Sequence, residues 1–441
     1  MTPAPAEDGR AAQVDAAVSA AHADSWARVV AAAARASGGN LTQAEDAASE
    51  AFLQALQTWG SRGVPRDPAA WLIRTAHRKV VDQQRREATL RRKLPVLATT
   101  DAAPREDAVD IDALTALDDR LRLVFTCCHP ALAMQSRVAL TLRLVGGLTT
   151  AEIAAAMLVS DAALAARITR AKRKIETAKI PYRVPPESEL VDRLDGVLTV
   201  IHLISTTGHT APAGGALRRS DLADRALDLS AMLAVLLPDE PEVLGLLALL
   251  ELTEARAPAR VDAEGAPVLL SDQDRARWDA DRIAAGLQWL DRARQRLGPD
   301  RAAGRFLLQA GIAAAHADAD TFADTDWSAI VALYDRLLER WPSPVVALNR
   351  AVAIAFRDGP SLGLAAIDEV AGDARLARYH YVPAARADLL RRLGRRAAAR
   401  QEYRRALALV DNDAERRFLQ RRLDSLADDV GDTPVTGSHQ P

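Results

Sequence analysis

The hydrophobic pattern along the chain has the period of helices throughout. Ala48, Phe52, Ala55 and Trp59 fall at i, i+4, i+7 and i+11, one apolar face of an amphipathic helix. Thr42-Gln-Ala-Glu45 just before them has the Thr-x-x-Glu form of a capping box, which predicts a helix start there. The run ends near Gly60, and residues 60–68 (GSRGVPRDP) read as a turn-rich loop. A second helix follows through Trp71, Leu72, Ala76 and Val80 and becomes basic toward its end. This block covers residues 21–93, behind an N-terminal tail of residues 1–20.

Residues 94–118 are acidic, contain proline and carry few large apolar side chains, the composition of a linker. In the next block, residues 119–183, Gly146-Gly147-Leu148 closes one helix and Thr149-Thr-Ala-Glu152 repeats the capping-box form to open another. Ser160 is placed to cap a third, with Leu164, Ile168, Ala171 and Ile175 again at i, i+4, i+7 and i+11. Two capped helices only a few residues apart predict a helix-turn-helix. From 184 to 427 the pattern is alanine-rich helices, and the segments LYDRLLERWP, LAAIDEVAGD and YRRALALVDND recur about every 31–40 residues. That period resembles tetratricopeptide-type helical pairs. Residues 257–270 read as a loop and residues 428–441 as a solvated tail. The expected fold is all-α: two small helical DNA-binding domains, then a C-terminal helical-repeat, TPR-like domain.

Composition agrees. Of 441 residues 49% are hydrophobic but only 4% aromatic, and alanine and leucine lead the apolar set, which favours helices over sheets. No stretch approaches the roughly 20 apolar residues of a membrane span, and the N-terminus lacks a signal-peptide pattern. A cytoplasmic protein without membrane insertion is expected. Cys127 and Cys128 are adjacent and cannot staple a fold, so they read as small buried side chains rather than as zinc ligands, for which the CxxC spacing is missing.

Charge divides the chain. Residues 1–183 carry 25 Lys/Arg against 20 Asp/Glu, and the remainder 32 against 39. The basic excess is concentrated in residues 74–93 and 167–183, two candidate nucleic-acid patches. On the helix from Asp161, the side away from Leu164 and Ile168 presents Arg167, Arg170, Arg173 and Lys174. Guanidinium forks suit both phosphate oxygens and the guanine edge. The helix from Trp71 carries Arg74, Arg78, Lys79, Arg85 and Arg86, with His77 and Trp71 nearby; a core role is the commoner explanation of such a tryptophan.

Asp46 and Glu50 lie one turn apart, and such like-charge pairs cost about 0.2–0.5 kcal/mol in an isolated helix. With Leu53, Gln54 and Gln57 they form an exposed stripe that a basic partner surface would relieve; simple solubility is the alternative. No phosphate-binding loop, GxGxxG, GxSxG or HExxH pattern is present, and the eight histidines show no metal spacing. No enzyme activity, cofactor or metal is expected.

Taken together, AEDAASEAFLQALQTW followed by PRDPAAWLIRTAHRKVVDQQRRE resembles region 2 of a bacterial extracytoplasmic-function (ECF) sigma factor. LRLVFTCCHPALAMQSRVALTLRLVGGLTTAEIAAAMLVSDAALAARITRAKRKI resembles region 4. FTCCHPAL, IPYRVP, RWDADRI and ADTDW followed by PSPVVALNRAVA resemble the subgroup with a long tetratricopeptide-like C-terminal domain. The resemblance implies that Asp46, Glu50, Leu53 and Gln54 dock on the clamp of the largest subunit of core RNA polymerase. It further implies that residues 60–86 bind and melt the −10 promoter element while the helix 161–175 enters the −35 major groove. The two modules would then grip separate stretches of DNA across a flexible tether. The C-terminal domain, acidic and repeat-like, is expected to modulate activity as a tethered regulator that contacts the basic N-terminal domains or a peptide, small-molecule or regulatory-protein signal. A helix-turn-helix regulator that senses a partner without joining polymerase is the other reading.

Some positions depart from the family pattern. Ser49 stands where glutamine is common, and Ala165 lies where the recognition helix often has a polar residue nearby. IHLISTTGH, residues 201–209, replaces an aromatic and Asn-Glu-Gly-Tyr run. Its His202 and His209 read as ordinary packed or surface histidines, with a ligand pocket as the alternative.

Overall fold

A computed structural model describes residues 5–93, 113–157, 159–211, 214–299 and 301–428. Eighteen α-helices follow one another among them. The first seven are α1 (Pro5–Ala36), α2 (Leu41–Arg62), α3 (Pro68–Lys93), α4 (Ala113–Cys127), α5 (Met134–Leu140), α6 (Thr150–Ala156) and α7 (Asp161–Thr177). The long α8 (Glu187–His209) leads to α9 (Ser220–Leu236), α10 (Pro241–Glu254), α11 (Ala280–Leu297), α12 (Arg305–Ala317) and α13 (Trp327–Arg340). The chain closes with α14 (Pro344–Arg357), α15 (Pro360–Val370), α16 (Tyr381–Arg392), α17 (Arg396–Leu409) and α18 (Asp413–Asp428). Extended pairing among the described residues is limited to two isolated bridges, Gly214 with Asn412 and Val261 with Pro267, so the all-α expectation holds.

Two compact units are formed, residues 1–204 and 205–441, and the boundary falls inside α8 rather than at 184. Helix also begins earlier than the pattern suggests. Where a tail was expected up to residue 20, α1 starts at Pro5, because Val14 and Val18 continue its buried face. Most of the expected linker, residues 94–112, lies outside the described residues, as does the tail from 429; residues 113–118 belong to α4.

In the first unit α1, α2 and α3 pack around Val29, Val30, Phe52, Trp59, Leu72 and Ile73. α5 runs directly into one wide π turn, Thr141–Val145, and Gly147 then turns the chain at φ +72°, a conformation open to glycine and strained for other residues. α1 packs against α4 and the π turn as well as against α2 and α3. The two blocks therefore form one body, where the sequence suggested modules held apart.

Within the second unit successive helices lie on their neighbours from α9 to α18, and small residues let backbones approach. A Cβ added at Gly363 would meet Ala355 Cβ at 2.2 Å, so α14 and α15 can cross closely only with glycine there. The expected loop of residues 257–270 contains a short 3-10 turn, Ala257–Ala259, and the bridge of Val261 with Pro267.

Candidate promoter and polymerase interface

Asn40 starts α2: its Oδ1 accepts from the Thr42 and Gln43 amides at 3.1 and 3.0 Å. The capping box foreseen at Thr42–Glu45 does not form, because Asn40 already satisfies those amides and Glu45 is turned elsewhere. Ala48, Phe52, Ala55 and Trp59 are buried as their spacing requires. On the other side Asp46, Glu50 and Leu53 are exposed, Leu53 by 57%, and Gln54 is half-buried.

α3 is capped by Asp67, whose Oδ1 accepts from the Ala70 amide at 2.9 Å. Leu72, Ile73, Ala76 and Val80 face inward, which leaves Arg74, Arg78, Arg85 and Arg86 exposed. Trp71 is half-buried and meets buried Trp59 edge-on at 5.6 Å, a packing role. Facing α2 and α3 enclose a groove of about 710 Å³ that brings Asp46, Glu50, Leu53 and Gln54 opposite Arg78, Lys79 and Arg86. Arg74 and Arg85 do not line it. Lys79 Nζ sits 3.1 Å from Glu50 Oε2, so the Asp46–Glu50 repulsion is already partly relieved within the chain.

The helix-turn-helix is built as its sequence indicates. Glu152 Oε2 accepts from the Thr149 amide and hydroxyl at 2.7 and 2.8 Å, and Thr149 Oγ1 accepts from the Glu152 amide at 3.2 Å, a reciprocal capping box. Ser160 Oγ accepts from the Ala163 amide at 3.3 Å and opens α7. Leu164, Ile168, Ala171 and Ile175 are buried, while Arg170, Arg173 and Lys174 are exposed and Arg167 is half-buried. Ala162, Ala163 and Ala165 near the start of α7 are exposed and have no side chain that can make a hydrogen bond.

One cluster joins residues that lie far apart in the sequence. Glu45 lies on the buried side of α2 and accepts from Arg143 Nε of the π turn and from Lys172 Nζ of α7. Burial alone would push the Glu45 carboxyl up, but Lys172 and Arg143 outweigh it and hold its pKa below the ordinary carboxylate value. Around this cluster Trp26 Nε1 donates to the Arg143 carbonyl at 3.0 Å, and the Tyr182 hydroxyl donates toward the carbonyls of Ala31 and Asp119 at 3.1 and 3.0 Å. Arg35 pairs with Asp119 at 3.2 Å. A carboxylate in register with Ala48, Phe52, Ala55 and Trp59 was the signal available in the sequence.

Cys127 and Cys128 are both buried, and burial raises both thiols, Cys128 to about 11. Among the described residues no group of three or more His, Cys, Asp or Glu side chains is arranged to hold a metal, and no helix is long and apolar enough to cross a membrane.

Residues 23–89 match the Sigma-70 region 2 family, residues 114–175 match Sigma-70, region 4, and residues 193–294 match a family of unknown function, DUF6596. An uncharacterized protein of Rhizobium meliloti (strain 1021), R00370, is 43% identical over 390 residues, which cover 88% of this chain and 91% of that one. No solved structure matches. The chain belongs to the sigma-70 family, as an ECF-like sigma factor with an additional C-terminal domain.

Proposed function

We propose that this chain, a member of a family that is not enzymatic, recognises promoters through sigma regions 2 and 4, with core RNA polymerase and promoter DNA as its partners. We propose that the α2 edge formed by Asp46, Glu50, Leu53 and Gln54 docks on a basic surface of the polymerase clamp. Arg74, Arg78, Lys79, Arg85 and Arg86 of α3 then engage and open the −10 element, and Arg167, Arg170, Arg173 and Lys174 of α7 hold the −35 groove.

The observation that carries this reading is the α2–α3 groove, in which an exposed acidic and apolar edge faces a basic one. An acidic edge recruits a basic protein surface, and the cations across the groove track a phosphate backbone. Gripping two separate promoter elements requires regions 2 and 4 to part, so the packed first unit is the free form and the Glu45 cluster opens when polymerase is joined.

The second unit, with consecutive packed helices and glycine-mediated crossings, acts as a TPR-like modulating domain. Co-elution of the full chain with purified core enzyme tests the docking assignment. A chain that migrates alone while native Arg170 still supports DNA binding would instead fit a regulator that works without polymerase.

A further inference from the structure

Residues 184–441 are acidic overall, yet one stretch of them is strongly basic. Residues 391–422, from the end of α16 through α17 into α18, hold 11 arginines against four carboxylates, while the rest of 184–441 holds 21 Lys/Arg against 35 Asp/Glu. Charge so segregated sets a basic surface on an acidic body.

Packing decides which of these arginines face outward. Ala399, Glu402, Tyr403 and Ala406 form the buried side of α17. The helical period therefore puts Ala397, Arg400, Gln401, Arg404, Arg405 and Ala408 on the opposite side, and all but the half-buried Arg400 are exposed. Neighbouring arginines are already committed: Arg391 pairs with Asp388 at 2.8 Å, Arg396 donates to the Leu426 carbonyl at 3.2 Å, and Arg421 pairs with Asp262 at 2.9 Å. Arg405 shares Glu402 with Arg386, at 2.9 and 3.6 Å, so one carboxylate serves two guanidiniums. Arg400 and Arg404 stand one turn apart, where like charges repel, and make no ion pair among the described residues. Arg416 donates to the Leu407 carbonyl at 3.0 Å and adds a cation beside the C-terminal end of α17.

Helix stability does not call for this arrangement. α17 opens on Arg395 and Arg396, with no acidic residue in its first turn and no basic one in its last, the reverse of what the helix dipole favours. The face also lacks the anchors of a protein interface, since among the described residues no large apolar side chain of α17 or α18 is exposed. A single nucleic-acid strand would call for aromatic faces on which its bases stack, and none is exposed here. Duplex phosphates require only cations and an open approach, which the small side chains of Ala397 and Ala408 leave clear.

We propose that Arg400, Arg404 and Arg405 on the outward face of α17 bind the phosphate backbone of duplex DNA without reading its sequence. The contact gives the second unit a hold on DNA of its own, beyond those assigned to regions 2 and 4, and it is measured without polymerase.

The test is fluorescence anisotropy of the full chain with a short duplex of mixed sequence, titrated at several salt concentrations. Arg400→Ala/Arg404→Ala weakens binding by about fivefold or more and flattens the salt dependence by about two units of slope, one for each phosphate no longer neutralised. Arg336→Ala/Arg340→Ala removes the same charge from exposed positions one turn apart on α13 and leaves affinity unchanged. Both variants unfold at the native temperature, since none of the four side chains lies in the core. Proximity is read directly by coupling Gln401→Cys to an iron chelate that cuts nearby DNA; Cys127 and Cys128 are buried and stay unlabelled. The chelate cuts the duplex, and the cuts disappear when Arg400→Ala/Arg404→Ala is also in place. Unchanged affinity in the α17 variant, equal weakening in the α13 variant, or no cutting from position 401 overturns the proposal.

Discussion

Glu45 on α2 and Lys172 on α7, separated by 127 residues in sequence, share a salt bridge in which both side chains are nearly buried, 10% and 11% exposed. With Arg143 on the same carboxylate, this contact ties region 2 to α7 of region 4. Lys172 belongs to the basic run of α7 but is turned away from Arg170, Arg173 and Lys174, so one cation of that helix is committed to intramolecular packing.

Removing the carboxylate while keeping its shape tests that tie. Glu45→Gln leaves Lys172 and Arg143 without a counter-ion, and breaking a buried pair in this way destabilises by about 3 kcal/mol. Urea unfolding of the first-unit transition reads the loss. If the free form opens on joining polymerase, the same variant also binds core enzyme more readily, since less free energy opposes opening.

Acid acts on the same residue. The folded pKa of Glu45 is depressed, so its contribution is fully present above its ordinary value of 4.5 and is lost as pH falls through the lower folded value. Native stability measured from pH 6 downward declines more steeply than that of Glu45→Gln below about pH 4.5. Parallel curves for the two would remove Glu45 as the cause.

Asp46 is exposed and, unlike Glu50, has no cationic partner assigned within the groove. Asp46→Arg is expected to change stability by no more than about 0.5 kcal/mol, the range of ordinary surface substitutions. It should lower affinity for core polymerase by about tenfold or more, because a like charge then faces the clamp. Equilibrium binding of labelled core enzyme checks both halves of the claim.

On α7, Arg170 and Arg173 are exposed, and both belong to the proposed DNA contact. Their joint replacement by alanine should weaken promoter binding broadly across sequences and flatten the salt dependence by about one unit of slope for each phosphate no longer neutralised. A weakening confined to one base position, with the slope unchanged, would point to direct base readout instead.

Gly147 turns the chain between the π turn and α6, and a Cβ there would stand 3.1 Å from Trp26. Gly147→Ala should cost about 1–3 kcal/mol through backbone strain, and more where Trp26 cannot give way. Thermal unfolding of the variant checks this.

Local chemistry was legible in the sequence and distant chemistry was not. Thr149 and Glu152 formed the capping box their spacing announces, since both partners lie within one turn. Thr42 and Glu45 share that spacing and do not form it: Asn40 is better placed for the free amides, and Glu45 is drawn to cations 98 and 127 residues away. No window of periodicity could show that pairing. The α7 face followed from Leu164 to Ile175, yet the packing of region 2 on region 4 rests on Trp26, Tyr182 and Glu45, whose partners lie in other segments.

Run-off transcription with the purified full chain, purified core polymerase and fragmented genomic template is the most direct test of the central claim. A small set of transcripts with common upstream elements, absent without the chain and suppressed by Asp46→Arg, is the predicted result. Core enzyme that yields the same transcripts with or without the chain, over any template, would contradict it.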